Sequence, residues 1–189
     1  MSDDVLPFPG PQAPEHLGLV PVIEALLFVA GEPVSVDTLS RCLDDAPVTD
    51  VKLALRALDQ RMQHSGSGLR LVQVAGGWQL KTQPAFATPV RELVGGRPTK
   101  LSRAALEVLA VVAYQQPATR MEVEDIRGVS SGAVIKQLLE RGLVRVSGRR
   151  DVPGRPLEYT TTRAFLELFE LGRLRDLPTL AEREALEDG

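Results

Sequence analysis

The sequence predicts a mainly α-helical protein with small β-hairpins, arranged as two consecutive units of three helices and a hairpin, the layout of tandem winged-helix domains. Three observations carry this. Apolar residues recur at helical intervals in three segments between 19 and 64 and again in three between 102 and 141. After each series the period changes to that of a strand, at Leu69 and at Leu143. A glycine- and proline-containing stretch, GGRPTK at 95–100, separates the two series. The halves share an order of elements without residue-by-residue identity, so the repeat is architectural.

The elements follow in order. Residues 1–16 hold four prolines and little that could pack, which reads as a disordered arm. LVPVIEALLFVA (19–30) is helical, with Pro21 tolerated in its first turn and Gly31 closing it. SVDTLSRCL begins a second helix at the candidate N-cap Ser35, with Val36, Leu39 and Leu43 at helical spacing. A third runs from about Thr49 to His64, its buried face marked by Val51, Leu55, Leu58 and Met62. SGSG breaks it. LRLVQVA and WQLKT then alternate around a Gly76-Gly77 turn as a hairpin, and a short helix from about Ala85 to Val94 completes a first domain over 17–96. In the second domain, 97–174, LSRAALEVLAVVAYQQ is a helix capped by Ser102, and MEVEDIRG is a short second one. SSGAVIKQLLERG is a third, capped by Ser130 or Ser131; LVRVSG and PLEYTT are strands, and TRAFLELFELG closes the domain. Residues 175–189 form an acidic tail.

Composition limits the function. One cysteine (Cys42) permits no internal disulfide, and His16 and His64 lie too far apart for zinc-ligand spacing. The acidic, proline-rich start is unlike a secretory signal and no apolar run has the length of a membrane helix, which points to a cytoplasmic protein. The net charge of −3 is uneven: 7 basic against 11 acidic residues over 1–96, 13 against 9 over 97–174, and 2 against 5 over 175–189. The central excess of positive charge is mild beside that of dedicated DNA binders. Neither histidine has a catalytic partner: His16 falls in the arm, and His64 is placed to satisfy the last carbonyls of its helix. Cys42 reads as core, and Glu122, Glu124 and Asp125 as carboxylates favoured by the start of a short helix. No enzyme constellation, cofactor site or metal site survives.

The stretch GRRDVPGRPLEY (148–159) invites a phosphate-loop reading, but five residues separate its glycines, Arg155-Pro156 stands where Lys and Ser/Thr are needed, and a strand follows instead of a helix. Gly66-Ser67-Gly68 fails for the same last reason. As a wing the stretch makes mechanical sense: Gly148 and Gly154 suit positive φ, and Pro153 and Pro156 stiffen the return. Its arginines could rest on DNA phosphates. Yet the helix before it turns outward only Ser131, Gly132, Lys136, Gln137, Glu140 and Arg141, a poor set for reading bases. Two helices, 19–30 and 105–114, are more apolar than a unit of this size should need to bury; for 19–30 an oligomer or partner surface is the reading preferred. Trp78 is expected to pack as a wing residue on its own domain.

IEALLFVAGEPVS, GGWQLKTQPAFATPVRELV, and IRGV followed by LLERGLV, GRRDVPGRP, EYTT and DLP, in that order and spacing, resemble the segregation and condensation protein B (ScpB) family over about residues 20–180. The resemblance implies two winged-helix domains in a non-enzymatic, cofactor-free adaptor of the bacterial SMC complex. Such a protein dimerises through its first domain and binds the kleisin ScpA, and through it SMC, in the cytoplasm, with DNA contact at most weak or indirect. It places Ile23, Leu26, Leu27 and Val29 at the dimer surface. It assigns Arg127, Arg141, Arg149, Arg150, Asp151, Arg155 and Tyr159 to partner binding or to the build of the wing, with Asp151 and Arg155 expected to lock the wing internally. Arg150 stands where lysine, and Ala118 where a larger apolar residue, is usual.

Overall fold

The computed structural model describes residues 15–95 and 100–179, with side chains from Gly18 onward. The expected arm, except its last two residues, the central part of GGRPTK and the tail beyond Thr179 lie outside the described residues. The fold is mixed α and β: eight α-helices and two small sheets among the described residues. The chain gathers into two compact units, one formed by residues up to Ala87 apart from 73–75, the other by 73–75 and Thr88 onward.

In the first unit, α1 (Glu15–Ala30), α2 (Val36–Cys42) and α3 (Val48–His64) enclose a core of Val20, Ile23, Leu27, Leu39, Val51, Leu55, Leu58 and Met62. Helix α1 starts four residues earlier than the sequence suggests, so Pro21 is interior to it and removes one backbone hydrogen bond instead of occupying a terminal position. Ser35 caps α2 as expected, its hydroxyl accepting from the Thr38 N–H at 3.1 Å. His64 closes α3 through Nδ1 against the Gln60 carbonyl at 2.7 Å. Cys42, expected in the core, is exposed, because it ends a helix of seven residues whose buried side is taken by Leu39.

Strands β1 (Leu69–Val74) and β2 (Gly77–Thr82) form the hairpin. Its turn is Ala75-Gly76, both at positive φ, one residue before the expected place. Gly77 belongs to the strand and is needed there for another reason: a Cβ would stand 2.8 Å from the Val34 carbonyl carbon. That close approach lets Trp78 exchange backbone hydrogen bonds with Val34 at 2.8 and 2.9 Å while its ring packs on the core of its unit. A single 3-10 turn (Pro84–Phe86) and α4 (Ala87–Val94) follow.

The second unit is built on α5 (Arg103–Gln115), capped by Ser102, whose buried stripe Ala105, Val108, Leu109, Val112 and Ala113 forms one side of its core. Against it pack α6 (Arg120–Arg127), α7 (Gly132–Glu140) and a three-stranded antiparallel sheet in the order β3 (Ala118–Thr119), β5 (Leu157–Thr161), β4 (Val144–Arg149). Helix α8 (Arg163–Leu168) contributes Phe165. The sequence reading missed β3: two residues show no alternation, and they become a strand only because Ala118 pairs with Tyr159 and Thr119 with Glu158. Ala118 is buried in that pairing.

Candidate protein-interaction surfaces

Along α1 the side chains divide between two faces. Ile23 and Leu27 are fully buried in the unit's own core, and Leu26 is partly buried against it. Two of the four residues expected at a dimer surface are therefore occupied inside the protomer, since the three-helix unit uses the 23/27 stripe itself. The opposite stripe is open: Val22 is 46% exposed, Phe28 73% and Val29 82%. At 100° per residue Val22 and Val29 lie about 20° apart and Phe28 about 100° beyond Val29, so the open side is a broad arc, with Leu26 on its border with the core. Phe28 was missed because apolar residues on both faces give no period by which to choose between them. The one acidic side chain within the apolar run, Glu24, pairs with Arg61 of α3.

In the second unit the wing is tied to the start of α6. Thr119 and Glu122 form a reciprocal capping box: the Thr119 N–H donates to Glu122 Oε2 at 2.7 Å, and the Glu122 N–H donates to the Thr119 hydroxyl at 3.3 Å. The free oxygen of Glu122 takes a hydrogen bond from Arg150 Nη1. The same guanidinium donates through Nε to Glu158 at 2.8 Å and through Nη2 to the Pro117 carbonyl at 2.9 Å. The Thr119 N–H and then Arg150 hold the Glu122 carboxyl below its usual range, while Glu158 and Glu122 raise Arg150. The box has a local sequence signature, the TxxE of TRME at 119–122.

A second node joins α5, α6 and α7. Arg127, its side chain 10% exposed, donates to Ser131 Oγ at 2.9 Å and to Glu107 Oε2 at 3.0 Å. Glu124 accepts the Ser131 N–H at 2.7 Å and pairs with Arg120 at 2.7 Å. Those contacts hold the Glu124 carboxyl low, Ser131 first and Arg120 second; Glu107 is held low by Arg127 and then Arg103. Ser131 stands at the N-cap of α7 without making a side-chain cap, because its fully buried hydroxyl instead serves Arg127 and the Val129 carbonyl. Gly128 takes φ 69°, which lets α6 end and the chain turn into this node.

The remaining predicted residues scatter. Tyr159 is a core residue and Arg141 lines a groove of about 750 Å³ with Lys100, Leu106 and Phe169. Arg149, Asp151 and Arg155 are exposed on the wing. Among the described residues no ion pair joins Asp151 to Arg155, which differs from the expected lock; the loop is closed by Arg149 Nη1 donating to the Arg155 carbonyl at 3.1 Å, and its base by Arg150. A further groove of about 700 Å³, lined by Leu106, Tyr114, Ile126 and Phe169 above the Arg127–Glu107 pair, was not foreseen. Among the described residues no group of three His, Cys, Asp or Glu could hold a metal ion, and no helix is long and apolar enough to cross a membrane.

Residues 21–180 match the family model of the segregation and condensation complex subunit ScpB. The chain belongs to the ScpB family. It is 52% identical over 161 residues to "Segregation and condensation protein B" of Syntrophotalea carbinolica, covering 85% of this chain and 81% of that one. A crystal structure of ScpB from Mycobacterium tuberculosis matches at 40% identity over 83% of this chain and 98% of its own, with a TM-score of 0.41. A dimer of an ScpB N-terminal domain complexed with an ScpA peptide matches 42% of this chain and 99% of its own at 25% identity, with a TM-score of 0.39. The sequence matches, rather than the superpositions, fix the family, and with it a role in chromosome segregation and condensation.

Proposed function

We propose that the chain is a non-enzymatic, cofactor-free homodimeric adaptor of two winged-helix domains, the first (17–96) dimerising and the second (97–174) binding the kleisin ScpA, and through it SMC, in the cytoplasm. Its association with the nucleoid runs through that complex, and its own DNA contact is weak or indirect. The observation that carries the reading is the open stripe of α1. Val22, Phe28 and Val29 stay exposed although the other side of the same helix already fills a core. Burying such a side chain contributes about 1.5–3 kcal/mol. Six of them, three from each protomer, offset an association cost of ~4–15 kcal/mol. Leu26, at the edge of the core, belongs to the same surface. Two of the acidic candidates point the same way, since Glu122 and Glu124 are engaged in structural pairs.

Size-exclusion chromatography with light scattering, on the protein alone and with ScpA, tests this. A dimer that takes up ScpA is expected; a strict monomer that ignores ScpA overturns the proposal. Val29→Glu should halve the particle mass without unfolding it.

A further inference from the structure

The two adjacent wing arginines are treated alike by the sequence and differently by the fold. The β4–β5 register shifts between Val146 and Gly148: Val146 faces Tyr159, yet Gly148, two residues on, faces the very next partner, Glu158. That extra residue changes which side of the ribbon each later side chain takes. Arg150 therefore turns toward Glu158 and Glu122, and its Nε, Nη1 and Nη2 all donate within the unit. Arg149 instead ends β4 opposite Leu157, exposed, with one hydrogen bond to the Arg155 carbonyl. Arg155 is exposed beside it, and among the described residues neither has a carboxylate partner. Between them Val152 is 44% exposed. The loop backbone is closed on itself, Arg150 N–H to the Pro156 carbonyl and Arg155 N–H to the Val152 carbonyl, both at 2.9 Å.

We propose that this wing is a preformed docking element in which Arg150 is a positioning residue and Arg149, Val152 and Arg155 make the contact, the partner being a protein segment that carries carboxylates beside an apolar side chain. Two guanidiniums with unfilled donors match carboxylates in geometry and charge, and Val152 supplies the apolar element. A nucleic-acid track is disfavoured: Asp151 lies in the same loop, Arg150 is neutralised internally, and Lys136 on the neighbouring α7 already pairs with Glu140 at 3.8 Å. The fixed loop lowers the ordering cost of association. The proposal rests on the adaptor reading only in naming ScpA as the protein that bears the segment.

The test combines amide hydrogen exchange of the full chain with titration of ScpA and of a short DNA duplex, on wild type, Arg150→Ala, Arg150→Lys and the double variant Arg149→Ala/Arg155→Ala. Arg150→Ala should raise exchange at the Arg155 amide, whose bond to the Val152 carbonyl closes the loop, and weaken ScpA binding by about tenfold, because the loop must then be ordered on association. Arg150→Lys, which keeps the charge but not the planar fork, should fall between and guards against a variant that fails to fold. The double variant removes the Arg149 bond to the carbonyl of residue 155 but keeps the Arg150 contacts, so it should raise exchange less than Arg150→Ala does while weakening ScpA binding by about tenfold or more and flattening its salt dependence. Unchanged exchange in Arg150→Ala overturns the positioning role. Full ScpA affinity in the double variant, or loss of duplex binding with ScpA binding intact, overturns the contact assignment. A wild type that neither dimerises nor binds ScpA overturns the adaptor reading, and the exchange measurement still decides Arg150.

Discussion

The open stripe of α1 and the wing of the second unit are both exposed, but they are exposed for opposite reasons. On α1, Phe28 and Val29 are among the most exposed large apolar side chains described, with the Glu24–Arg61 pair one turn from Phe28, so an apolar cover stabilises the helix whatever its detailed shape. On the wing, Arg150, Glu158, Glu122 and the loop's own carbonyls pair with one another in place, so the loop has its shape before any partner arrives. The difference teaches that surplus apolarity marks where a partner must cover, whereas an internally closed polar loop marks where a partner must fit.

Breaking each side of that contrast gives graded effects. The largest is Leu27→Ala. Because Leu27 fills the core of its own unit rather than an interface, it should cost ~2–5 kcal/mol of stability in denaturant unfolding. The same loss should appear at all protein concentrations. Phe28→Glu, one residue on, should leave unfolding of the unit nearly unchanged yet weaken self-association by about 100-fold, the equivalent of a desolvated Phe side chain at ~3 kcal/mol, measured by sedimentation at graded concentrations. If both variants instead lost stability equally, α1 would have one function and not two. Thr119→Ala is smaller: it removes the capping box that seats the wing on α6, with an expected cost of ~1 kcal/mol seen in thermal unfolding.

How far the sequence reveals this division depends on the length scale of each cause. Helices α3 and α5 were readable because their buried stripes repeat over several turns, and Ser35 and Ser102 announce their helix starts locally. The hairpin turn was misplaced by one residue because Gly76 and Gly77 look alike in sequence; only packing against Val34 separates a turn glycine from a strand glycine. On α1, apolar residues on both faces conceal which side is core, so Ile23 and Leu27 could not be told from Val22 and Phe28 without the position of α3. The distinction between Arg149 and Arg150 was equally hidden, since it depends on one irregular step in strand register and on Glu122, 28 residues away.

The smallest effect is acid sensitivity, and it belongs to the wing side of the comparison. Glu107, Glu122 and Glu124 are each held below the usual carboxylate range by hydrogen bonds present only in the folded second unit. A carboxyl depressed on folding contributes stability that is fully present above its unfolded value, ~4.3 for Glu, and is lost as pH falls from there through the folded value. The melting temperature of the second unit should therefore be insensitive to these groups near neutrality and should decline below about pH 4.3. Glu122→Gln should flatten part of that decline, and Glu124→Gln another part, because each removes one titrating site. In Glu122→Gln the acid-dependent part of exchange at the Arg155 amide should shrink, since of the two carboxylates on Arg150 only Glu158 remains. The α1 stripe, being apolar, gives self-association no such dependence through Val22, Phe28 or Val29, so a dimer whose mass holds while the wing amides open in mild acid would separate the two surfaces in a single titration.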